Sequence, residues 1–304
     1  MRVTLIHNEG AGDADKPDGK ALKALIERAG HAVRYQRADD DTWTAILDEP
    51  ADLVAVAGGD GTVGRVAKKL IGRRIPVAPL PLGTANNISK TFGLTELTLE
   101  EIVSGWDLAR TVAFDAGVAE GPWGSRYFVE GVGVGLVART IPAADESKTL
   151  ASLTDAAAKV AYALQMLRER LTRCAPHELR LTLDGRDASG EYVLFEAMNM
   201  EFVGPNLYLA PDICPADGLL DVVLVTTEER DKLKETLATW QSGELAHPEL
   251  PRRRASVIEL EWNGFDVHFD DEAWPGGKEE PPALSHITLR VEREALLFLA
   301  PAAE

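Results

Sequence analysis

Two kinds of residue in this 304-residue chain are spaced to do chemistry: glycines bunched at the ends of apolar runs, and carboxylates in short turns. The clearest bunch is Gly58-Gly59-Asp60-Gly61-Thr62. It follows the apolar, β-branched run Leu53 to Ala57 and precedes Val63, Val66, Ala67, Leu70 and Ile71 at helical spacing, which predicts strand, glycine turn and helix. Glycines there let backbone N–H groups approach a polyphosphate without a Cβ in the way, and a helix starting there adds the positive end of its dipole. No GxxxxGK[ST] loop occurs. Gly59, Gly61 and Gly64 spell GxGxxG, but a dinucleotide fold wants an acid about 20 positions on, at the end of the next strand. That strand, Ile75 to Leu80, runs into Pro81-Leu82-Gly83-Thr84, with no acid before Glu96. Asp60 would set a carboxylate among phosphates, which requires a cation or a catalytic duty to compensate. The competing reading is a glycine turn with no ligand.

These residues need a frame. Arg2 to Ile6 reads as a first strand, closed by His7-Asn8-Glu9-Gly10-Ala11-Gly12. Asp18 is placed to cap a helix carrying Leu22, Leu25, Ile26 and Ala29, which Gly30 stops. His31 to Gln36 is a second strand and Trp43 to Leu47 a short helix. Strand and helix in alternation imply a parallel sheet, and such sheets bind ligands at the carboxyl ends of their strands. Asn8 to Gly12, Gly58 to Thr62 and Gly83 to Asn87 all occupy such ends.

From about Arg110 the rhythm changes. Thr111–Val118, Tyr127–Gly131, Leu179–Leu183, Glu191–Ala197, Leu219–Val225, Val257–Trp262, Val267–Asp270 and Ile287–Val291 read as strands, largely without intervening helices. Asp184-Gly185 supplies a hairpin turn. This half reads as an antiparallel sandwich with inserted helices. In one helix Leu150, Leu153, Ala157, Val160, Leu164, Leu167 and Leu171 form a continuous apolar stripe, which packs on the sandwich or permits a lid or a homodimer seam. Glu228 to Ser242 is a second helix. Pro248 to Arg254 reads as an exposed loop with a basic run, Arg252-Arg253-Arg254. The boundaries expected are 1–110 for the α/β unit, 111–294 for the sandwich, and 295–304 for a last strand returning to the first unit.

Bulk properties narrow the partners. Forty-nine acidic against 32 basic residues give a net charge of −17, which repels nucleic acid and anionic membrane except at local patches. No apolar run reaches the length of a membrane span, and the amino terminus reads as a strand, not a cleavable signal, so the expectation is a cytoplasmic protein without a transmembrane segment. Cys174 and Cys214, with no CxxC or Cys/His cluster, are expected as reduced, buried thiols.

Gly58 to Thr62 after the third strand, Pro81-Leu82-Gly83-Thr84-Ala85-Asn86-Asn87 after the fourth and the Asn8-x-x-Ala11-Gly12 loop after the first together resemble the diacylglycerol kinase catalytic domain family. That family includes bacterial lipid kinases and sphingosine kinases and is related more distantly to NAD kinases and 6-phosphofructokinases. The resemblance continues in order through Phe114-Asp115-Ala116-Gly117-Val118, Gly131-Val132-Gly133-Val134-Gly135, Ala210 to Asp221, and Phe269-Asp270-Asp271-Glu272-Ala273, and so covers nearly the whole chain.

It implies an amino-terminal α/β nucleotide domain and a carboxyl-terminal β-sandwich with ATP in the cleft between them. By resemblance Asn8, Glu9, Gly10, Ala11, Gly12, Gly58, Gly59, Asp60, Gly61, Thr62, Val63, Gly64, Thr84 and Asn86 hold the nucleotide, with the Thr62 and Thr84 hydroxyls donating to phosphate. Asp60 then sits where magnesium or the γ-phosphate needs a carboxylate partner. A carboxylate base taken from Asp270 and Glu272 activates a lipid hydroxyl. Asp217, with the main-chain carbonyls of Cys214 and Leu219 and with Asp115 nearby, resembles a structural magnesium site. The activity implied is ATP- and Mg2+-dependent phosphorylation of diacylglycerol or a similar lipid at a membrane surface, within phospholipid biosynthesis. The membrane contact expected is small and peripheral, centred on Arg252 to Arg254.

The chain also departs from the family pattern. Gly64-Arg65 stands where Asn-Glu is usual, Asn87 where Asp is usual, Glu9 where Pro is common, and Asp271 where the family has glycine. A glycine there would serve a positive φ, which aspartate tolerates. These changes motivate two alternatives: a catalytically impaired nucleotide- or lipid-binding regulatory protein of the same fold, and a kinase acting on a soluble acceptor such as NAD.

Overall fold

Parallel pairing starts at the amino terminus. β1 (Arg2–His7) pairs with β2 (Ala32–Arg37) on one side and β3 (Leu53–Gly58) on the other, and β3 pairs with β4 (Val77–Pro81). The computed structural model describes residues 1–12, 15–275 and 285–302. They fall into two units, Met1–Phe114 with Glu294–Glu304, and Asp115–Arg293.

In the first unit every residue of β3 is buried, as befits the centre of a parallel sheet covered on both faces. Helix α1 (Gly19–Arg28) starts where the Asp18 carboxylate accepts the Ala21 N–H at 2.8 Å, buries Leu22 and Ile26, and gives way to Gly30 at φ 88°. Trp43–Asp48 is a 3₁₀ helix. Helix α2 (Asp60–Lys69) leaves the end of β3, α3 (Asn87–Thr91) follows β4, and α4 (Leu99–Ser104) is fixed by a capping box between Thr98 and Glu101. A fifth parallel strand comes from the end of the chain. Phe298 lies opposite Val77 and packs on Phe92 and Phe114, with ring centroids 4.8 and 5.2 Å apart. Residues 303 and 304 of the expected last stretch lie outside the described residues.

The second unit is antiparallel. Its strands are β5 (Arg110–Gly121), whose first residues belong to the first unit, β6 (Gly124–Phe128), β7 (Gly131–Gly135), β8 (His177–Leu179), β9 (Leu181–Leu183), β10 (Arg186–Asp187), β11 (Gly190–Met198), β12 (Phe202–Val203), β13 (Leu207–Tyr208), β14 (Leu220–Thr226), β15 (Arg252–Ala255), β16 (Val257–Trp262), β17 (Val267–Phe269), β18 (Glu272–Trp274) and β19 (Ser285–Ala300), whose last residues form the fifth strand just described. One sheet runs β15-β14-β11-β7-β17-β18, with β8 on β11; a second carries β10-β9-β16-β19, with β5 and β6. Phe128, Phe195, Val222, Ile258, Trp262 and Leu289 bring the two sheets into one core, which makes this a sandwich. The other face of the β11 sheet is covered by α5 (Leu136–Asp145), α7 (Ala156–Leu171) and α8 (Arg230–Gln241), with α6 (Lys148–Ser152) between the first two.

Several expectations change. The stripe from Leu150 is not one helix: α6 ends at Ser152, Leu153 is extended, and α7 restarts where Asp155 caps Ala158 at 2.7 Å. Leu164, Leu167 and Leu171 are buried in the helix-side core, so the inner face of α7 is packing surface. Gly131 to Gly135, which the spacing did not predict as a strand, is β7 at the middle of its sheet. The basic run is not a solvated loop. It forms β15, with Arg252 Nε 3.3 Å from Asp221 Oδ1 and Arg254 Nη1 2.9 Å from Asp217 Oδ2, so two of its three charges are matched. Cys174 is buried as expected, but Cys214 is exposed, because it sits in the irregular segment between β13 and β14.

Candidate active site

In the first unit three loops leave the carboxyl ends of β1, β3 and β4 and touch one another. The Asn8 amide donates to Thr62 Oγ1 at 3.0 Å, tying the first loop to α2, and its own oxygen accepts the Gly10 N–H at 3.1 Å. The second and third loops meet backbone to backbone: a Cβ on Gly83 would lie 2.3 Å from Gly59 Cα, so no larger residue fits without parting them. Asn86, left-handed at φ 54°, closes the third loop on itself by accepting the Gly83 N–H at 2.8 Å and donating to the Gly83 carbonyl at 2.9 Å. Asp60 then links the second loop to α3, its Oδ1 accepting the Ile88 N–H at 2.9 Å. Burial pushes this carboxyl above its ordinary range, against the pull of the Ile88 and Asn87 N–H groups and of Lys90.

The nucleotide residues expected from the sequence separate into two sets. Asn8, Gly10, Ala11, Gly12, Gly58, Gly59, Asp60, Gly61, Thr62, Thr84 and Asn86 lie in the joined loops or at the first turn of α2. Val63 and Gly64 are buried inside α2 and offer packing atoms only. Glu9 turns away: Tyr35 donates to it at 3.0 Å and Arg37 pairs with it at 3.2 Å, so its charge is met outside the loops. Burial and that hydrogen bond push the Tyr35 phenol up to about 12. Arg65 also points elsewhere, donating to the Ala38 carbonyl at 2.9 Å and stacking 5.2 Å over Trp43. The departures at Glu9 and Arg65 therefore leave the joined loops unaltered.

In the second unit the acidic turn joins β17 to β18. Asp270 is buried, at φ 52°, and its Oδ1 accepts the N–H groups of Val129, Glu130 and Gly131 at 3.0, 2.8 and 3.4 Å. The left-handed residue is thus Asp270, not Asp271, and aspartate in place of the family's glycine costs no backbone strain. Glu272 is exposed, 3.8 Å from Arg126.

The proposed metal residues gather around one glycine turn. Asp115 Oδ2 accepts the Gly218 N–H at 2.7 Å, Asp217 Oδ1 the Leu219 N–H at 3.0 Å, and the Cys214 carbonyl the Asp217 N–H at 3.4 Å. Burial raises the Asp221 carboxyl beside them. Asn199 donates to the Asp115 and Pro215 carbonyls, while its buried Oδ1 has no hydrogen-bond partner. Among the described residues no three His, Cys, Asp or Glu side chains cluster closely enough to hold a metal by themselves. These are nevertheless hard oxygen donors, which suit a magnesium ion that keeps several waters; Arg254 on Asp217 is the cation it would displace.

Sequence reasoning passed over four residues. Lys16 brings its ammonium to 3.5 Å from the Gly83 carbonyl, and a Cβ on Gly12 would meet that ammonium at 1.7 Å. A single lysine just past a glycine loop was the available signal. Arg126 lies 5.4 Å over the Phe269 ring, beside Glu272. Glu196 and His268 pair with no exposure beneath the acidic turn, and 72 positions of sequence separate them.

Comparison with known proteins matches residues 2–119 to the diacylglycerol kinase catalytic domain and residues 131–286 to the YegS C-terminal NAD kinase beta sandwich-like domain. The chain belongs to the diacylglycerol kinase catalytic domain family. It is 30% identical to the diacylglycerol kinase of Bacillus subtilis (strain 168) over 240 residues, 74% of this chain and 73% of that one. It is 28% identical to the diacylglycerol kinase of Mycobacterium tuberculosis (strain ATCC 25618 / H37Rv) over 89% of this chain and 88% of that one. A Pseudomonas aeruginosa (strain UCBPP-PA14) protein named "Probable lipid kinase YegS-like" is 29% identical over 91% and 89%. In fold, the chain is similar to a crystal structure of a diacylglycerol kinase from Bacillus anthracis, at TM-score 0.73 and 20% identity, with 98% and 96% of the two chains covered. It is also similar to yeast NADH kinase, at TM-score 0.55 and 11% identity, with 100% and 84% covered.

Proposed function

We propose that this protein transfers the γ-phosphoryl group of ATP to a hydroxyl of diacylglycerol or a closely similar lipid. The observation that carries the reading is the junction of the three loops in the first unit, where glycine backbone, the first turn of α2, the Thr62 hydroxyl and the Lys16 ammonium meet in a way that suits a polyphosphate. Family membership, and relatives named as kinases of diacylglycerol and other lipids, support the lipid acceptor.

The chemistry divides between the units. In the first, Asn8, Gly10, Ala11, Gly12, Gly58 to Thr62, Thr84 and Asn86 hold the nucleotide, while Asp60 keeps the start of α3 against the glycine turn. In the second, a carboxylate of the Asp270/Glu272 pair accepts the hydroxyl proton as the lipid oxygen bonds to the γ-phosphorus and the bond to the β-phosphate oxygen breaks. Asp217, the Cys214 and Leu219 carbonyls and Asp115 would hold a structural magnesium ion. Magnesium bound with the nucleotide would supply neutralisation of phosphoryl charge. The lipid is met at a membrane surface. Among the described residues no helix is long and apolar enough to cross a membrane.

The test is label transfer from γ-labelled Mg-ATP to diacylglycerol, sphingoid base, acylglycerol or phosphatidylglycerol in mixed micelles. Labelling of diacylglycerol is expected; labelling of none of them defeats the reading. Asp60→Asn, which keeps an oxygen acceptor for the α3 start but removes the carboxylate that would partner magnesium or the γ-phosphate, and Glu272→Gln should each abolish labelling with thermal unfolding unchanged. Turnover retained in both would place the chemistry elsewhere.

A further inference from the structure

Glu196, Gly133 and His268 stand abreast on three neighbouring strands: Glu196 of β11 is opposite Gly133 of β7, and Gly133 opposite His268 of β17. A Cβ on Gly133 would lie 2.2 Å from Glu196 Oε2, so the middle position must be glycine for the carboxylate to pass. Through that gap Glu196 sets its oxygens 2.9 and 3.0 Å from His268 Nε2. On the other side of the ring, Nδ1 is 2.9 Å from the main-chain oxygen of Asp270. Facing an ionised Glu196 and a carbonyl, both of which only accept, the two ring nitrogens each donate and the imidazole is a cation. Burial alone would strip that proton; attraction and hydrogen bonding from Glu196, helped by Asp270, outweigh it and raise His268 above its ordinary value. Helix α5 packs over this row, and its half-buried cation, Arg139, turns instead to Cys174 and the Ala175 carbonyl.

Neither Glu196 nor His268 has any solvent exposure. A buried ion pair is a poor stabiliser compared with apolar residues of equal volume, so stability alone does not account for it. What it does have is direction. It ends on the carbonyl of the one residue in the acidic turn that is left-handed, and that conformation aims the Asp270 carboxylate at three backbone N–H groups. We propose that Glu196 and His268 are positioning residues, a buried carboxylate–imidazolium strut that fixes the Asp270 backbone and thereby presents the Asp270–Glu272 turn to the acceptor hydroxyl. The fixing of Asp270 stands on this geometry; the presentation to an acceptor rests on the kinase reading above.

The experiment uses the full chain with Glu196→Gln, His268→Gln and the two combined. Amide hydrogen exchange is read at Val129, Glu130 and Gly131, with the amides of Val54 and Ala55 in the other unit as reference, and kcat and KM are measured for ATP and lipid. Each single variant is expected to speed exchange at the three amides by about tenfold or more and to lower kcat by about tenfold, with KM for ATP unchanged. The combined variant, in which two neutral amides can bond each other, should be no worse than either single. Exchange unaltered in both singles overturns the strut. Exchange quickened with kcat intact overturns the positioning role. A wild type that labels no lipid defeats the kinase reading, and the exchange arm still decides the strut. Should the variants not fold, nitrogen-15 spectra of the wild-type imidazoles at neutral pH decide: two N–H protons on His268 support the strut, and one overturns it.

Discussion

The glycine junction of the first unit and the acidic turn of the second each bind loops from different strands, by opposite means. Between Gly59 and Gly83 the loops meet because side chains are missing, and backbone rests on backbone. Around Asp270 they meet because charge is buried: one carboxylate gathers three N–H groups, and behind it a second carboxylate holds an imidazolium. A junction made by steric absence tolerates salt and pH and fails when an atom is added. One made by buried charge tolerates neither a lost partner nor a changed proton.

The largest effect is expected where buried charge is removed. Asp270→Ala orphans three buried N–H groups and takes a negative charge from beside the His268 imidazolium, whose bond to the residue 270 carbonyl stays, so about 3–5 kcal/mol of stability should go, read by urea unfolding, together with all label transfer. A loss below about 1 kcal/mol would break the contrast with the glycine junction. Gly83→Ala comes next. The added methyl meets Gly59 Cα at 2.3 Å, and about 2 kcal/mol is expected, with the thermal shift from Mg-ATP collapsing at any ionic strength. Asp60→Ala removes the acceptor at the start of α3 and should cost about 1 kcal/mol.

Proton linkage sharpens the comparison. His268 has its folded pKa raised, so its contribution is whole below the ordinary histidine value of about 6.5 and is lost as pH rises through the raised value. Asp60 is also raised, so its contribution too is whole below the ordinary carboxylate value and is lost as pH rises through the raised one. Urea midpoints against pH should decline on the alkaline side for the wild type, and His268→Gln should remove that decline. The smallest effect is expected of Glu9→Gln: an exposed carboxylate already met by Tyr35 and Arg37 is worth about 0.5 kcal/mol or less, and nucleotide binding should not change.

What could be read without coordinates follows from range. The strands Leu53–Gly58 and Val257–Trp262, the Asp18 cap and the hairpin at Asp184-Gly185 are written in neighbouring residues, and local pattern finds them. Gly131 to Gly135 was hidden because glycine argues against a strand, and the reason for it here, room for Glu196, lies 63 residues away in sequence. The stripe from Leu150 kept its period through Leu153 although Asp155 caps a new helix, because periodicity reports a face and not its continuity. Arg252 and Arg254 read as solvated charge because their partners, Asp221 and Asp217, come from a distant strand and turn. Lys16, Glu196 and His268 belong to no local pattern, and only the tertiary structure assembles them.

The strand that ends the chain has a consequence for how the chain is made. Phe298 beside Val77, and the Gly72 N–H on the Ala295 carbonyl at 2.9 Å, complete the sheet whose loops carry the glycines. A nascent chain therefore emerges from the ribosome with β4 as an open edge, and everything from Asp115 to Arg293 must be synthesised before that edge is closed. The unit whose strands are translated ahead of the sandwich is finished only after it.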